Sequence, residues 1–488
     1  MVREKQKQDK LINKIIKDNK KNLLVVFIVV FGFLLRIYQI GKDSFWLDET
    51  GVASVIFVNS FSEFMNIVRS HVAAVPLDYA MTWIIGQFTL SEGWLRLPSA
   101  IWGTLTLLIC YSLFCRLANQ KIAIVGLLLL TFSPLHIKYS QELRFYSSLT
   151  FFYILSTKLF LNAFSSNKTK DWVWFKLVTI IGGYFHIYVG LSVINGLLWF
   201  SFSDIKREND ALRKFLISLI LILLGSVSAF YFFAGYNSLH TDSFTKIESL
   251  QHAFGVGFGW LPVTQENNLL FYLWGIICLF LELFGIVFLV RHERNSYLSK
   301  LFLSISIQIV IVLSLTVLRG YFIQSRHFIF LYPLFLLFAA KGFFEIVERF
   351  VLVKFDLGRR TQSAISLILI CGLCILSFPP LSSYYQENKG YARETAIFLS
   401  ENWILGDSIF FFPHPYSAEP VNYYLVNVME NENLSPYMWT VDINQDLDTI
   451  LNWKNGKLYL VGPTTPELEY LLSQNGFMKT ELQDVWVR

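Results

Sequence analysis

An acidic pair, Asp48 and Glu49, stands in the stretch FWLDETG, directly after two aromatic residues and just beyond an apolar run that ends at Ile40. Adjacent carboxylates at a membrane surface suit two roles. One of them takes a proton from an attacking hydroxyl, or they cap a helix that Thr50 and Gly51 begin and that runs to Val58. Taken alone, capping is the simpler expectation. Other polar residues stand at the same outer level, where hydrocarbon makes them costly. They are Arg36 at the end of the first apolar run, His71 and Asp78 in HVAAVPLDY, Arg96 in WLRLPSA, and Gln141, Glu142, Arg144 and Tyr146 in SQELRFY. Singly, each has a local explanation: Arg36 and Arg96 snorkel to headgroups, His71 is a satisfied interfacial histidine, and Glu142 pairs with a neighbouring arginine. Jointly, acids and cations at one end of a bundle read as a site.

Two later signals add to it. His186 and Tyr188, in GGYFHIYVGL, fall at an outer turn between two helices, and Arg326 and His327, in IQSRHFIFLYP, open a helix from the outside. Arginine offers bidentate donors to phosphate oxygens; headgroup anchoring is the alternative, above all for His327. A reaction that fits is attack of an acceptor hydroxyl on a sugar carried by a polyprenyl phosphate. The phosphate is already a good leaving group, so no general acid is needed. One carboxylate must take the acceptor proton, and cations or a metal must stabilise the phosphate.

These residues must be held by helices in a bilayer. The chain has 488 residues, 54% hydrophobic and 16% charged, with 46 phenylalanines and a mean hydropathy of +0.47. Soluble domains carry about 25% charged residues, and disordered, collagen-like and coiled-coil chains have other compositions. The expected fold class is a polytopic α-helical membrane protein. Apolar windows long enough to span fall at 23–40, 94–114, 122–137, 143–164, 172–185, 187–202, 215–234, 269–290, 301–318, 328–347 and 364–378. A twelfth candidate, 72–90, is interrupted by Pro76 and Asp78.

Charge parity decides its status. If 72–90 does not cross, the first 22 residues and the loops at 116–121, 168–176, 206–214, 291–300 and 349–360 share one side, with 24 of the 41 Lys and Arg. The positive-inside rule then favours about eleven crossings with the N-terminus in the cytoplasm and 72–90 buried against the outer half of the bundle. The first apolar run has no small-residue cleavage site after it and reads as an uncleaved signal anchor. Residues 1–378 form the expected transmembrane catalytic domain, with outer loops at 41–93 and 235–268, and 379–488 an extracytoplasmic α/β domain. Within the latter the pattern predicts helices at 391–403, 416–428 and 466–474 and strands at 408–413, 457–462 and 484–487.

The net charge of +5 is set by the membrane-flanking basic residues and implies no nucleic-acid partner. All five cysteines lie in apolar runs, so no disulfide framework is expected, and the Cys371, Cys374 pair reads as helix packing. No internal repeat is visible.

At these residues the sequence resembles the glycosyltransferase C superfamily, specifically the family 39 and protein O-mannosyltransferase-like membrane enzymes. FWLDETG resembles the family's acidic first-loop motif, SEGWLRLPSAIWGTLTLLICYSLFCRL its second helix, and SPLHIKYSQELRFYSSL its next outer turn. HVAAVPLDY resembles a variant of its His-Pro-Pro-Leu-Tyr segment, with Ala73 and Ala74 in place of the expected context and Asp78 where an aromatic or aliphatic residue is common. The match runs over about the first 200 residues, with weaker echoes in RHFIFLYP and the tail.

The resemblance implies an inverting hexosyl- or pentosyltransferase that uses a polyprenyl-phosphate sugar at the outer face of the plasma (inner) membrane. Asp48 is the implied base, with Glu49 supporting it or positioning the acceptor. Glu142 and Arg144 belong to the second acidic turn, Arg326 is the candidate for the donor phosphate, and His71, Asp78, Arg96, Tyr146 and His186 are further candidates for substrate contact. No cofactor is certain; family members differ over a divalent metal, which stays open. The implied partners are the lipid-linked sugar, membrane lipid and a lipid, glycan or protein acceptor. The Trp-Trp-Asp signature of oligosaccharyltransferases is absent from the tail, which argues against transfer of a whole oligosaccharide to asparagine. A transporter or flippase for a lipid-linked or polar substrate is the alternative; it favours broken helices at the bilayer midplane, whereas here the charges gather at the outer ends. A structural or receptor-like membrane protein explains the tail but not the acids.

Overall fold

The structure is a computed structural model and describes residues 22–70, 76–201, 209–227, 269–294, 296–319, 325–349, 359–386, 390–412, 418–430, 438–443, 445–454, 456–482 and 484–488. His71, Ala73, Ala74 and the outer loop 235–268 lie outside the described residues. The first helix, α1, covers Asn22–Ile37. The loop after it carries α2 (Leu47–Ala53), a 3-10 turn (Ser54–Phe57), α3 (Phe61–Ser70) and α4 (Pro76–Gly86). A long run of helices follows: α5 (Glu92–Leu117), α6 (Gln120–Thr131), α7 (Pro134–Ser140), α8 (Tyr146–Ser166), α9 (Thr169–Phe185), α10 (Ser192–Ser201) and α11 (Asn209–Gly225). Beyond 268 come α12 (Leu269–His292), α13 (Tyr297–Arg319), a 3-10 turn (Ser325–Leu331), α14 (Tyr332–Ile346) and α15 (Arg359–Gln386).

This is an integral membrane protein. Among the described residues, five helical stretches are long and apolar enough to cross a bilayer: Glu92–Leu117, Trp274–His292, Tyr297–Ser314, Arg326–Arg349 and Ala364–Gln386. There are six if α6 and α7, which meet at 60°, form one span. Helices α1, α8, α9, α10 and α11 fall in the remaining apolar windows of the sequence, and α4 is only 11 residues long.

Side-chain spacing explains how the bundle packs. In α5, Trp94, Ile101 and Leu108 recur every seven residues and stay exposed, while Leu95, Leu107, Cys110, Leu113 and Leu117 are buried. The first set makes a lipid-facing stripe and the second a packed face. The first twelve residues of α14 are all buried, which makes it a central helix. It meets α12 backbone to backbone: a Cβ on Gly342 would collide with the Leu281 carbonyl, and one on Gly285 with that of Phe338. Small residues permit such approach where lipid supplies no hydrophobic drive. The break between α6 and α7 is set locally. Ser133 caps α7 by accepting the His136 N–H at 3.2 Å, and Pro134 takes the first helical position.

The tail forms a five-stranded sheet. After α16 (Ala392–Asn402) come β1 (Ser408–Phe411), α17 (Ala418–Asn422) running into a π-helical turn (Tyr423–Val428), β2 (Met438–Thr440) and α18 (Leu447–Leu451). The chain ends with β3 (Leu458–Val461), α19 (Pro466–Gln474), β4 (Met478–Lys479) and β5 (Val485–Val487). Strand order is β2-β1-β3-β5-β4, with β1 parallel to both neighbours and β5 antiparallel to both of its own. The three strands expected from the sequence are β1, β3 and β5. The short β2 and β4 escape a periodicity reading because three and two residues carry no alternation.

Candidate functional site

The acidic pair lies inside a helix, not at its cap. Trp46 occupies the N-cap position of α2, and Asp48 and Glu49 fill its first turn. The helix covers Leu47–Ala53 and gives way to the 3-10 turn, so the expectation of a cap followed by one helix to Val58 is corrected on both counts. Carboxylates in a first turn still gain from the helix dipole.

The two acids then diverge. Glu49 is fully buried, and Arg96 grips it as a fork, Nε to Oε1 at 2.8 Å and Nη2 to Oε2 at 2.6 Å. Oε1 also accepts the Leu143 N–H at 2.7 Å. The remaining donors of Arg96 go to the carbonyls of Ile40, Asp43 and Ser44 at 2.8–3.1 Å. This pair therefore ties the loop after α1 to α5 and to the turn before α8, with its hydrogen-bonding capacity spent. Arg96 does not snorkel. Neither does Arg36, which is wholly buried and bonds His136 Nδ1 at 2.7 Å and the Gly32 carbonyl at 2.8 Å.

Asp48 faces the other way; its side chain is 23% exposed, while Oδ2 itself is buried beside the guanidinium groups. Its Oδ2 lies 3.1 Å from Arg326 Nη1 and 3.8 Å from Arg144 Nη2, and Arg144 also donates to the Asp48 carbonyl at 3.2 Å. The Arg326 guanidinium sits over the rings of Trp46 and Tyr146, and that of Arg144 over Phe145 and Tyr146. Aromatic faces of this kind hold guanidinium groups in place. Residues from α2, the turn before α8 and the turn before α14 thus meet at one point, two cations against one carboxylate.

Two further groups border it. Asp78, in the first turn of α4, is buried, and its Oδ2 has no hydrogen-bond partner among the described residues. Burial pushes its carboxyl up to about 7, against a smaller downward pull from Arg144. His186, between α9 and the 3-10 turn Ile187–Leu191, stacks on Phe145 and accepts the Tyr188 N–H on Nδ1 at 3.2 Å. Burial, then His327 and Arg144, hold it down at about 3, so it is a neutral ring that carries its proton on Nε2. Glu142 is buried within electrostatic reach of Tyr139, Tyr146 and Tyr384.

The structure thus brings together Asp48, Asp78, Arg144, Tyr146, His186 and Arg326, and sets Glu49 and Arg96 behind them as a brace. Among the described residues no three His, Cys, Asp or Glu side chains converge as a metal site would require.

Sequence reasoning missed a second brace. Glu92, at the start of α5, accepts from Arg393 Nη1 at 2.7 Å and from the Tyr424 hydroxyl at 2.9 Å, while that hydroxyl accepts the Phe45 N–H at 2.7 Å. Ser44 Oγ donates to the Gly390 carbonyl and accepts the Ala392 N–H, each at 3.0 Å. The partners are more than 300 residues apart in the chain, and no local pattern connects them.

Known proteins share this arrangement of helices. The pattern of the dolichyl-phosphate-mannose-protein mannosyltransferase family matches residues 75–232. ArnT from Cupriavidus metallidurans, in a structure bound to undecaprenyl phosphate, superposes with a TM-score of 0.52 at 11% identity, over 95% of this chain and 97% of that one. The chain has the glycosyltransferase C fold. The apo form of the same ArnT gives a TM-score of 0.52 at 12% identity, over 96% of this chain and 97% of that one. The archaeal oligosaccharyltransferase AglB from Archaeoglobus fulgidus, in complex with an inhibitory peptide and a dolichol-phosphate, gives 0.51 at 12% identity, over 84% of this chain and 64% of that one. No curated protein matches in sequence. The resemblance to protein O-mannosyltransferase-like enzymes holds over 75–232, which includes the motifs around Arg96 and Arg144.

Proposed function

We propose that the chain is an inverting glycosyltransferase that moves a sugar from a polyprenyl phosphate to an acceptor hydroxyl at the outer face of the membrane. The observation that carries this reading is the placement of Asp48, whose Oδ2 is 3.1 Å from Arg326 and 3.8 Å from Arg144. Solved relatives of the fold hold undecaprenyl phosphate and dolichol-phosphate, which makes a lipid-linked phosphate the natural fourth member of this group.

The chemistry follows from charge. Without substrate, two guanidinium groups share one carboxylate and one positive charge is in excess. A phosphodiester brings one negative charge and draws the guanidinium groups toward its oxygens. That frees Asp48 Oδ2 to accept the proton of an acceptor hydroxyl. The acceptor oxygen bonds to the anomeric carbon from the face opposite the phosphate, the carbon–oxygen bond to phosphate breaks, and configuration inverts. The leaving polyprenyl phosphate gains a second negative charge, which Arg144 and Arg326 stabilise. Glu49 acts through position, since its oxygens are occupied by Arg96 and Leu143.

Orientation rests on the basic loops at 116–121 and 168–176, which lie at the helix ends away from Asp48 and face the cytoplasm under the positive-inside rule. The outer face is then the side of the acidic loop and of the tail.

The test is release of polyprenyl phosphate from a panel of polyprenyl-phosphate sugars by the purified protein in native-lipid membranes, with membrane extracts as the acceptor source. Release is expected from at least one donor. Asp48→Asn should lower it by at least about 100-fold without loss of fold, and Arg326→Ala should also weaken donor binding. Wild-type release by Asp48→Asn would remove Asp48 from the chemistry, and silence with every donor and extract would favour a transporter.

A further inference from the structure

Asp78 differs from Asp48 in what stands beside it. Oδ2 of each carboxylate is buried without a hydrogen-bond partner among the described residues, but Asp48 has two guanidinium groups within ion-pair distance, whereas Asp78, 7% exposed, has none there. Its place in the first turn of α4 gives it the favourable end of a helix dipole, yet such carboxylates ordinarily stay in water. A buried acceptor without a donor is costly, and a site keeps one where a ligand supplies the donor.

The surroundings say which ligand. Asp78 and Asp48 share Arg144, which acts electrostatically on both. Tyr79, the next residue along α4, lies within electrostatic reach of Arg144, Asp78 and Asp48 together. Under the proposed function the phosphate of the donor is held by Arg144 and Arg326. The sugar ring on that phosphate is then held next to Arg144, the cation whose charge also acts on Asp78.

We propose that Asp78 is a specificity-determining residue that binds the transferred sugar, its free Oδ2 accepting a hydrogen bond from one ring hydroxyl. The inference rests on the proposed glycosyl transfer and goes beyond it by naming the recognition element. A protonated carboxyl still accepts on its carbonyl oxygen and can donate to a second hydroxyl; an ionised one accepts on both oxygens. In either state the pocket rejects a sugar that lacks the matching hydroxyl, because Asp78 is then left buried and unpaired.

The experiment is a double-mutant cycle between protein and substrate. The probe is the undecaprenyl-phosphate sugar that the wild-type protein turns over fastest, beside its monodeoxy analogues, each lacking one hydroxyl. With wild-type protein, one analogue should lose about 10- to 100-fold in kcat/KM, the scale of one hydrogen bond to a buried carboxyl. Asp78→Ala should lose a similar factor with the parent sugar and less than about 3-fold more with that analogue. A purely structural role lowers every donor equally, and that result would overturn the proposal. So would a penalty that follows the acceptor rather than the donor sugar. Should Asp78→Ala fail to fold, Asp78→Leu, which nearly keeps the volume and has no hydrogen-bonding group, takes its place in the cycle, and absence of coupling with it is equally decisive. If Asp78 variants leave donor discrimination unchanged while release still needs Asp48, only this proposal falls. If the wild-type protein releases no polyprenyl phosphate from any donor, both fall.

Discussion

At the scale of single residues, Asp48 and Glu49 are neighbours in sequence and opposites in physics. Glu49 is sealed behind Arg96 with every oxygen occupied, and Asp48 faces the open side of the site with loosely held cations. Substitution should separate them by kind of damage. Glu49→Ala leaves the Arg96 guanidinium buried without its counter-charge, a loss of about 3–5 kcal/mol, so its Tm in detergent should fall by several degrees and activity should fall with it. Asp48→Asn should leave Tm within about a degree of the wild type. Matching Tm values for the two variants would show that Glu49 and Arg96 do not brace the loop. The sequence makes both acids visible, because charge is costly beside hydrocarbon. It does not say which is which: one residue of helical phase, 100° on the wheel, separates a side chain aimed at Arg96 from one aimed at Arg326. The burial of Arg36 and Arg96, for which snorkelling is the local explanation, is hidden for the same reason, since a run of letters does not show which face of the helix meets its neighbours.

At the scale of elements, the tail holds the loop that carries the site. Residues 44 and 45 are tied to Gly390, Ala392 and Tyr424, and Glu92 gathers Arg393 and the Tyr424 hydroxyl. Asp48 lies three residues beyond Phe45, so the registration of α2 depends on these contacts. Removing one oxygen should report on this. Tyr424→Phe leaves the buried Phe45 N–H without its acceptor and costs about 1–3 kcal/mol. Polyprenyl phosphate release should slow by about 3- to 30-fold, with no comparable change in the donor KM, if the loop lets Asp48 drift from the reacting hydroxyl. Unchanged turnover together with an unchanged Tm would mean that the tail does not position the loop. The helices and three strands of the tail follow from apolar periodicity, whereas its docking is set by single polar contacts between segments more than 300 residues apart, which periodicity cannot encode.

At the scale of the whole molecule, the question is which side of the membrane the site faces. The chain puts Lys and Arg at alternate helix ends, and the positive-inside rule sends those ends to the cytoplasm. Lys341 shows the consequence at one such end: it bridges Glu293 at 2.7 Å and Glu345 at 2.9 Å near the 291–300 loop. The acidic loop and the tail belong to the opposite end. Two single-cysteine variants, made after Cys110, Cys115, Cys278, Cys371 and Cys374 are replaced by serine, test the assignment. Ser473→Cys lies at an exposed position of α19, and Lys170→Cys at an exposed position in the first turn of α9. In right-side-out vesicles, a membrane-impermeant thiol reagent should label Ser473→Cys at once and Lys170→Cys only after permeabilisation. The reverse pattern would turn the site to the cytoplasm, where a lipid-linked sugar would have to be used on the inner leaflet. Labelling of both without permeabilisation would mean that an odd number of crossings does not separate them as the charge pattern requires. Only the expected pattern lets Asp48, its arginines and the tail share the outer face with their acceptor.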